Sequence, residues 1–195
     1  MKSVLFAAAL GIAATAVAAE PVEYTLDSGH SQILFKYDHL GYSTTAGMFS
    51  GFEGTIIFDA ENPEASSVEV SMPVKSMLTG WQERFEHLMS PDFFDASDDE
   101  MVSFVSTGIE VTGEDTALIT GDLTLNGVTK EIVLDAKLNQ ASMHPMQNKP
   151  WAGFDATVQL LRSDYNLGKF TPFVGDEVDI EISLEAQAAG SGDAN

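Results

Sequence analysis

The chain of 195 residues contains no cysteine. That absence excludes disulfides, thiol catalysis, iron–sulfur clusters and cysteine-ligated zinc, so the fold must be held by its core alone. Basic side chains are scarce: nine Lys and Arg stand against 30 Asp and Glu, a formal charge of −21. Such a surface repels nucleic acid, whose binding rests on neutralising phosphate. It also disfavours adsorption to anionic lipid headgroups, so no stable membrane insertion is expected. Catalytic signatures are missing too. The sequence has no HExxH spacing, no GxSxG elbow and no phosphate-cradling glycine loop. The four histidines, His30, His39, His87 and His144, form no metal-ligand spacing. His30 and His39 have opposite strand parity and would point apart. No metal, no cofactor and no enzymatic activity are therefore expected.

What is present begins with an export signal. Lys2 precedes the apolar run Val4 to Val17, and Ala16 to Ala19 supply the small residues a signal peptidase needs. The run is too short for a membrane anchor, which takes roughly 20 strongly apolar residues. Residues 1–19 read as a signal peptide of a periplasmic protein, cleaved after Ala19, with Ala18 the alternative. Without Lys2, eight basic and 30 acidic residues remain, a net −22.

Almost everything that follows alternates with period two. In "HSQILFKYDHLGY", Ile33, Phe35 and Tyr37 share one face. "GTIIFDAENP", "SSVEVSMPVKS", "MVSFVST", "GFDATVQLLRS" and "DEVDIEISLEA" behave alike, and "LITGDLTLNGVTKEIVLDAKL" is two strands around Asn126-Gly127, a strong hairpin signal. About eight strands with short turns predict an all-β sandwich or barrel with polar outer faces. The glycines at 47, 51 and 54 read as bulges or tight bends. One segment breaks the period. In "TGWQERFEHLMSPDFFDA", Trp81, Phe85 and Leu88 fall on one helical face, Thr79 and Gln82 suggest a capping box, and Ser90-Pro91 is a stop. This predicts one short helix near residues 80–90, lying on the barrel or closing an end. Residues 187–195 read as a disordered tail. Aromatic residues either fill such a barrel or line a space for one small ligand, since eight strands suit both.

The order of local signatures, "YTLDSGHSQILFKYDHLG", "GMFSGFEGTIIFD", "SMLTGWQERFEHLMSPDFFDA", "GDLTLNGVTKEIVL", "GFDATVQLLRSDYNLG" and "VGDEVDIEISLE", resembles the YceI-like family of exported proteins, from about Tyr24 to Glu185. The resemblance implies one domain over residues 20–186. Its implied fold is an extended lipocalin-like antiparallel barrel carrying a long isoprenoid, such as a polyisoprenoid quinone, or a similar lipid. It brings no catalytic motif. The ligand-lining positions it suggests are Phe35, Phe52, Phe58, Trp81, Phe85, Leu88, Phe94, Phe104 and Phe154, with Arg162 of "RSDY" a polar contact. Phe85 stands where the family more often has Asp. The charge favours a neutral head over a diphosphate, unless Lys36, Arg84, Arg162 and Lys169 cluster at the mouth. The competing reading is a stress-related structural or interaction protein with a filled barrel. An edge strand would let two copies pair as a homodimer.

Overall fold

The structure, a computed structural model, describes residues 21–190. The signal-peptide reading of residues 1–19 lies outside them. Ten strands form one sheet: β1 (Val22–Leu26), β2 (Gln32–His39), β3 (Ser43–Phe49), β4 (Glu53–Phe58), β5 (Ser67–Pro73), β6 (Met101–Val111), β7 (Thr116–Leu125), β8 (Val128–Met143), β9 (Pro150–Leu161) and β10 (Val174–Ala188). Every pairing is antiparallel. Eight strands close a ring in the order β1, β4, β5, β6, β7, β8, β9, β10, with β10 returning to β1. Closure gives each of these eight strands a partner on both sides, and β2 and β3 extend the sheet beyond the ring.

The ring closes because β10 serves two partners in succession. Its first part, Val174 to Ser183, pairs with β2, and its last rungs set Ala186 and Ala188 opposite Leu26 and Tyr24 of β1. The strands β1 and β2 are thus one interrupted strand along β10, broken at residues 27–31. β3 and β4 are likewise interrupted at residues 50–52: β3 pairs with β2 and β4 with β1. The free side of β3 is fastened by reciprocal Met48–Leu78 backbone bonds of 3.0 and 2.7 Å. Gln187 and Ala188, assigned to the tail from sequence, are the last residues of β10. Register shifts in β6 at 106–108 and in β8 at 138–140 bend the long strands toward closure.

Alternation sets the inside. Ile180, Ile182 and Leu184 face in, while Asp179, Glu181 and Glu185 face out, as the period-two pattern requires. The hairpin between β7 and β8 turns on Asn126 and Gly127, at φ of +50° and +71°, the backbone a two-residue turn needs. Gly54, at φ +148°, passes so close to β5 that an added Cβ would stand 2.2 Å from the Glu69 carbonyl oxygen.

The helix α1 (Gln82–Met89) turns Phe85, Leu88 and Met89 onto the core. Its start differs from the expected capping box. Trp81 is the N-cap, without a side-chain cap bond, and Thr79 sits too early. The Thr79 hydroxyl donates to the Trp81 carbonyl at 2.7 Å, and the Gln82 amide donates along the helix to Glu86 at 3.0 Å. Ser90 ends the helix as expected, its hydroxyl donating to the His87 carbonyl at 2.7 Å. Among the described residues, no helix is long and apolar enough to cross a membrane.

Candidate ligand site inside the barrel

The barrel holds a cavity of about 330 Å³, within the range of roughly 300–1,000 Å³ that suits a small molecule. Its wall is the inward row of every strand but β1, almost entirely aliphatic and aromatic. It extends from Phe52, Met72 and Val102 at depth to Val111, Leu138 and Ala141 near the surface. From Val102 to Val111 is nine residue steps, about 30 Å of strand at ~3.3 Å each, and about 23 Å along the axis at a tilt of ~40°. Small inward residues make the room. Ala117, Ala136 and Ala156 line the space. Gly121 lets the Phe104 ring lie flat on the wall, where an added Cβ would meet that ring at 2.4 Å.

One end of the cavity reaches solvent between the connection at residues 59–66 and the turn at 112–115. Its rim includes Pro63, Gly113, Glu114, Asp115 and Lys137. The other end is plugged. Val74 and Met77 are buried there, and Phe85, Leu88, Phe93 and Phe94 pack on the core from α1 and the turn after it. Tyr165 is 2 % exposed, and burial raises its phenol above the usual range. The Asn126 amide donates to the Tyr165 carbonyl at 2.9 Å and ties the hairpin to this plug.

The expected ligand positions divide between wall and plug. Phe52, Phe58, Phe104 and Phe154 line the cavity. Phe58 meets Phe154 edge-on at 5.7 Å and Tyr24 at 6.3 Å. Phe35 faces inward but does not line the cavity: its ring packs on Phe49 at 5.5 Å, beside Tyr37 and over Gly47. Phe85, Leu88 and Phe94 belong to the plug. Trp81 is 58 % exposed, with the Arg84 guanidinium 5.8 Å from its ring centre. Arg162 is placed away from the lining and differs from the expected polar contact. It donates to the carbonyls of Gly175, Leu167, Lys169 and Val174 at 2.7, 2.5, 2.9 and 2.8 Å. Those bonds staple the loop from residue 162 to 175, and burial lowers the guanidinium's pKa against the opposing charges of Asp176 and Tyr37. Attention to aromatic residues passes over most of the wall, which is aliphatic: Ile56, Ile119, Leu123, Leu134, Ile180 and Ile182. The alternation that reveals these strands carried that signal.

Charge divides along the axis. Lys36 pairs with Glu181 at 2.5 Å, Lys169 pairs with Asp92, and Arg84 donates to the Thr79 carbonyl at 3.0 Å. These cations and Arg162 are engaged away from the rim, so they do not gather at the mouth. Lys137, Glu114 and Asp115 are charged residues at this rim. Outside the barrel, Asp27, His30 and Glu185 bring their donor atoms within 4.8 Å of one another. His30 Nδ1 bonds Asp27 Oδ2 at 2.7 Å, and the Trp151 indole donates to Glu185 at 2.9 Å.

The YceI-like domain model matches residues 24–186. A UPF0312 protein of Ectopseudomonas mendocina is 40% identical over 187 residues, which is 95% of this chain and 97% of the relative. Among solved structures, BcnA of Burkholderia cenocepacia superposes with a TM-score of 0.74 at 25% identity, covering 82% of this chain and 98% of that one. A structure described as a polyisoprenoid binding domain from Saccharophagus degradans, implicated in plant cell wall breakdown, shares the fold. Its TM-score is 0.66 at 14% identity, with 86% and 99% covered. An eight-stranded ring, a single short α-helix among the described residues and a match across nearly all of them place the protein: it belongs to the YceI-like family.

Proposed function

We propose that this protein is an exported, periplasmic carrier of a long isoprenoid or similar amphiphilic lipid, its tail inside the barrel and its head at the rim. The observation that carries the reading is the apolar cavity running most of the barrel's length, where a filled barrel would have side chains. Burial of hydrocarbon is worth about 0.8 kcal/mol per CH₂, so one isoprene unit contributes roughly 4 kcal/mol gross. Micromolar binding needs about 8 kcal/mol, and three enclosed units exceed that before ordering costs. The description of the Saccharophagus degradans domain supports the same ligand class. An almost wholly apolar wall offers hydrocarbon contact and few groups for chemistry, so binding rather than catalysis is the role. The head is neutral, quinone-like rather than diphosphate, because Glu114 and Asp115 stand at the rim of a chain with a large negative charge. Organic extraction of protein purified from its periplasmic fraction, followed by mass spectrometry, tests this. A prenyl lipid with an uncharged head is expected. A protein that yields no lipid, and takes up none when prenyl quinone is added, contradicts the reading.

A further inference from the structure

A tunnel closed at one end admits only a tail that stops in time, and the closed end is built from identifiable side chains. Glu53 pairs with Ser71, and Met72 pairs with Val102. Phe52, one residue before β4, therefore continues the level of Met72 and Val102, the innermost lining residues of β5 and β6. It comes from the break at residues 50–52 between β3 and β4 and is 4 % exposed. Phe49, at the end of β3, lines the same region and is 8 % exposed.

Both rings are buried, and that of Phe49 is backed by a second ring. Phe49 rests on Phe35 at 5.5 Å. Phe35 in turn lies over Gly47, so close that a Cβ on that glycine would stand 2.2 Å from its ring. Val74 and Met77, 0 % and 4 % exposed, fill the level below with no side chain that faces water. Close-packed interiors yield little to a probe that pushes on them.

We propose that Phe49 and Phe52 are the length stop of the tunnel, the residues that decide the longest isoprenoid tail the protein accepts. This deepens the carrier reading and rests on it. Affinity rises with each added isoprene unit until the tail meets these rings, and the next unit must leave its carbons in water at the mouth or force the plug apart. The ring removed by Phe52→Ala has about the bulk of one isoprene unit, and cores that lose a large side chain relax only partly around the space left.

The test is titration of a series of prenyl alcohols, lengthened one unit at a time, against the wild type, Phe52→Ala and Phe52→Leu. A wild-type gain per unit that ends at a definite length is expected. In Phe52→Ala the end point moves one unit longer, with at least a tenfold gain for the first length at which the wild type stops gaining. Phe52→Leu moves in the same direction by less and guards against a destabilised alanine variant; a cooperative thermal melt qualifies each protein. A wild type that binds no member of the series overturns the carrier reading and the length stop with it. A wild type that binds, with an end point that folded variants leave in place, overturns the length stop alone.

Discussion

Asp27 sits in the break between β1 and β2 and organises it. Its carboxylate accepts from the Gly29 amide at 2.9 Å and pairs with His30 at 2.7 Å, and its carbonyl accepts from the Ser31 hydroxyl at 2.7 Å. The hydrogen bond to His30 is the main reason that the Asp27 carboxyl lies below its ordinary value, partly opposed by burial. The same bond, then the charges of Asp27 and Glu185, raises His30 above its ordinary 6.5. The two shifts bound a window. The contribution of His30 is complete below 6.5 and lost as pH rises through its folded value; that of Asp27 is present above its unfolded value and lost as pH falls through its folded one. The pair therefore stabilises most at mildly acidic pH, and only modestly because it is exposed. An NMR titration is expected to place His30 above 6.5 and to return it toward 6.5 in Asp27→Asn. A wild-type His30 that titrates at its ordinary value shows that the bond does not persist in solution.

The hairpin of β7 and β8 shows what one element contributes to the site. Asn126 does two things there: it tolerates φ of +50° and fastens the plug through the Tyr165 carbonyl. Asn126→Ala removes the bond and leaves at φ +50° a residue without the short polar side chain that lets Asn adopt a left-handed conformation, costing up to about 1–2 kcal/mol for the backbone and about 1 kcal/mol for the bond. Asn126→Gly keeps the backbone and loses the bond. Denaturant unfolding is expected to rank wild type, then Gly, then Ala; equal stability of the two variants shows that the backbone is not strained. Elements like this one were readable in advance, because Asn-Gly between alternating runs has one structural meaning. β1 and β3 were not. β1 offers five residues with only Tyr24 and Leu26 buried. β3 places Gly47 opposite Phe35, so the ring that fills its inward position belongs to another strand. The site divides for a similar reason. Alternation continues past the end of the cavity, so Phe35 and Phe104 look alike in sequence although one packs in the core beyond the lining and the other lines the space. The space itself comes from Ala117, Ala136, Ala156 and Gly121, residues that announce nothing by their own size.

At the scale of the whole molecule, the acidic field and the rim act on the ligand's head before any contact with the wall. A prenyl diphosphate approaches a like-charged chain at a rim that holds Glu114 and Asp115, with Lys137 as the nearby cation. The repulsion reaches about 30 Å at 0.01 M salt and only about 10 Å at 0.1 M, so it is strongest when salt is low. A prenyl quinone carries no charge and feels none of it, although its tail enters the same cavity. Competition between the two at equal tail length is therefore expected to favour the quinone at low salt, by roughly tenfold if the head sits within a few ångströms of one unpaired rim charge. Raising salt to 0.15 M should narrow the gap by improving the diphosphate while the quinone stays unchanged. Glu114→Gln combined with Asp115→Asn separates rim from field: the gap narrows in the double variant if the rim dominates and persists if the net charge of the chain does. A diphosphate that binds more tightly than the quinone at low salt, and weakens as salt is added, would mean that Lys137 governs the mouth and that the head is anionic.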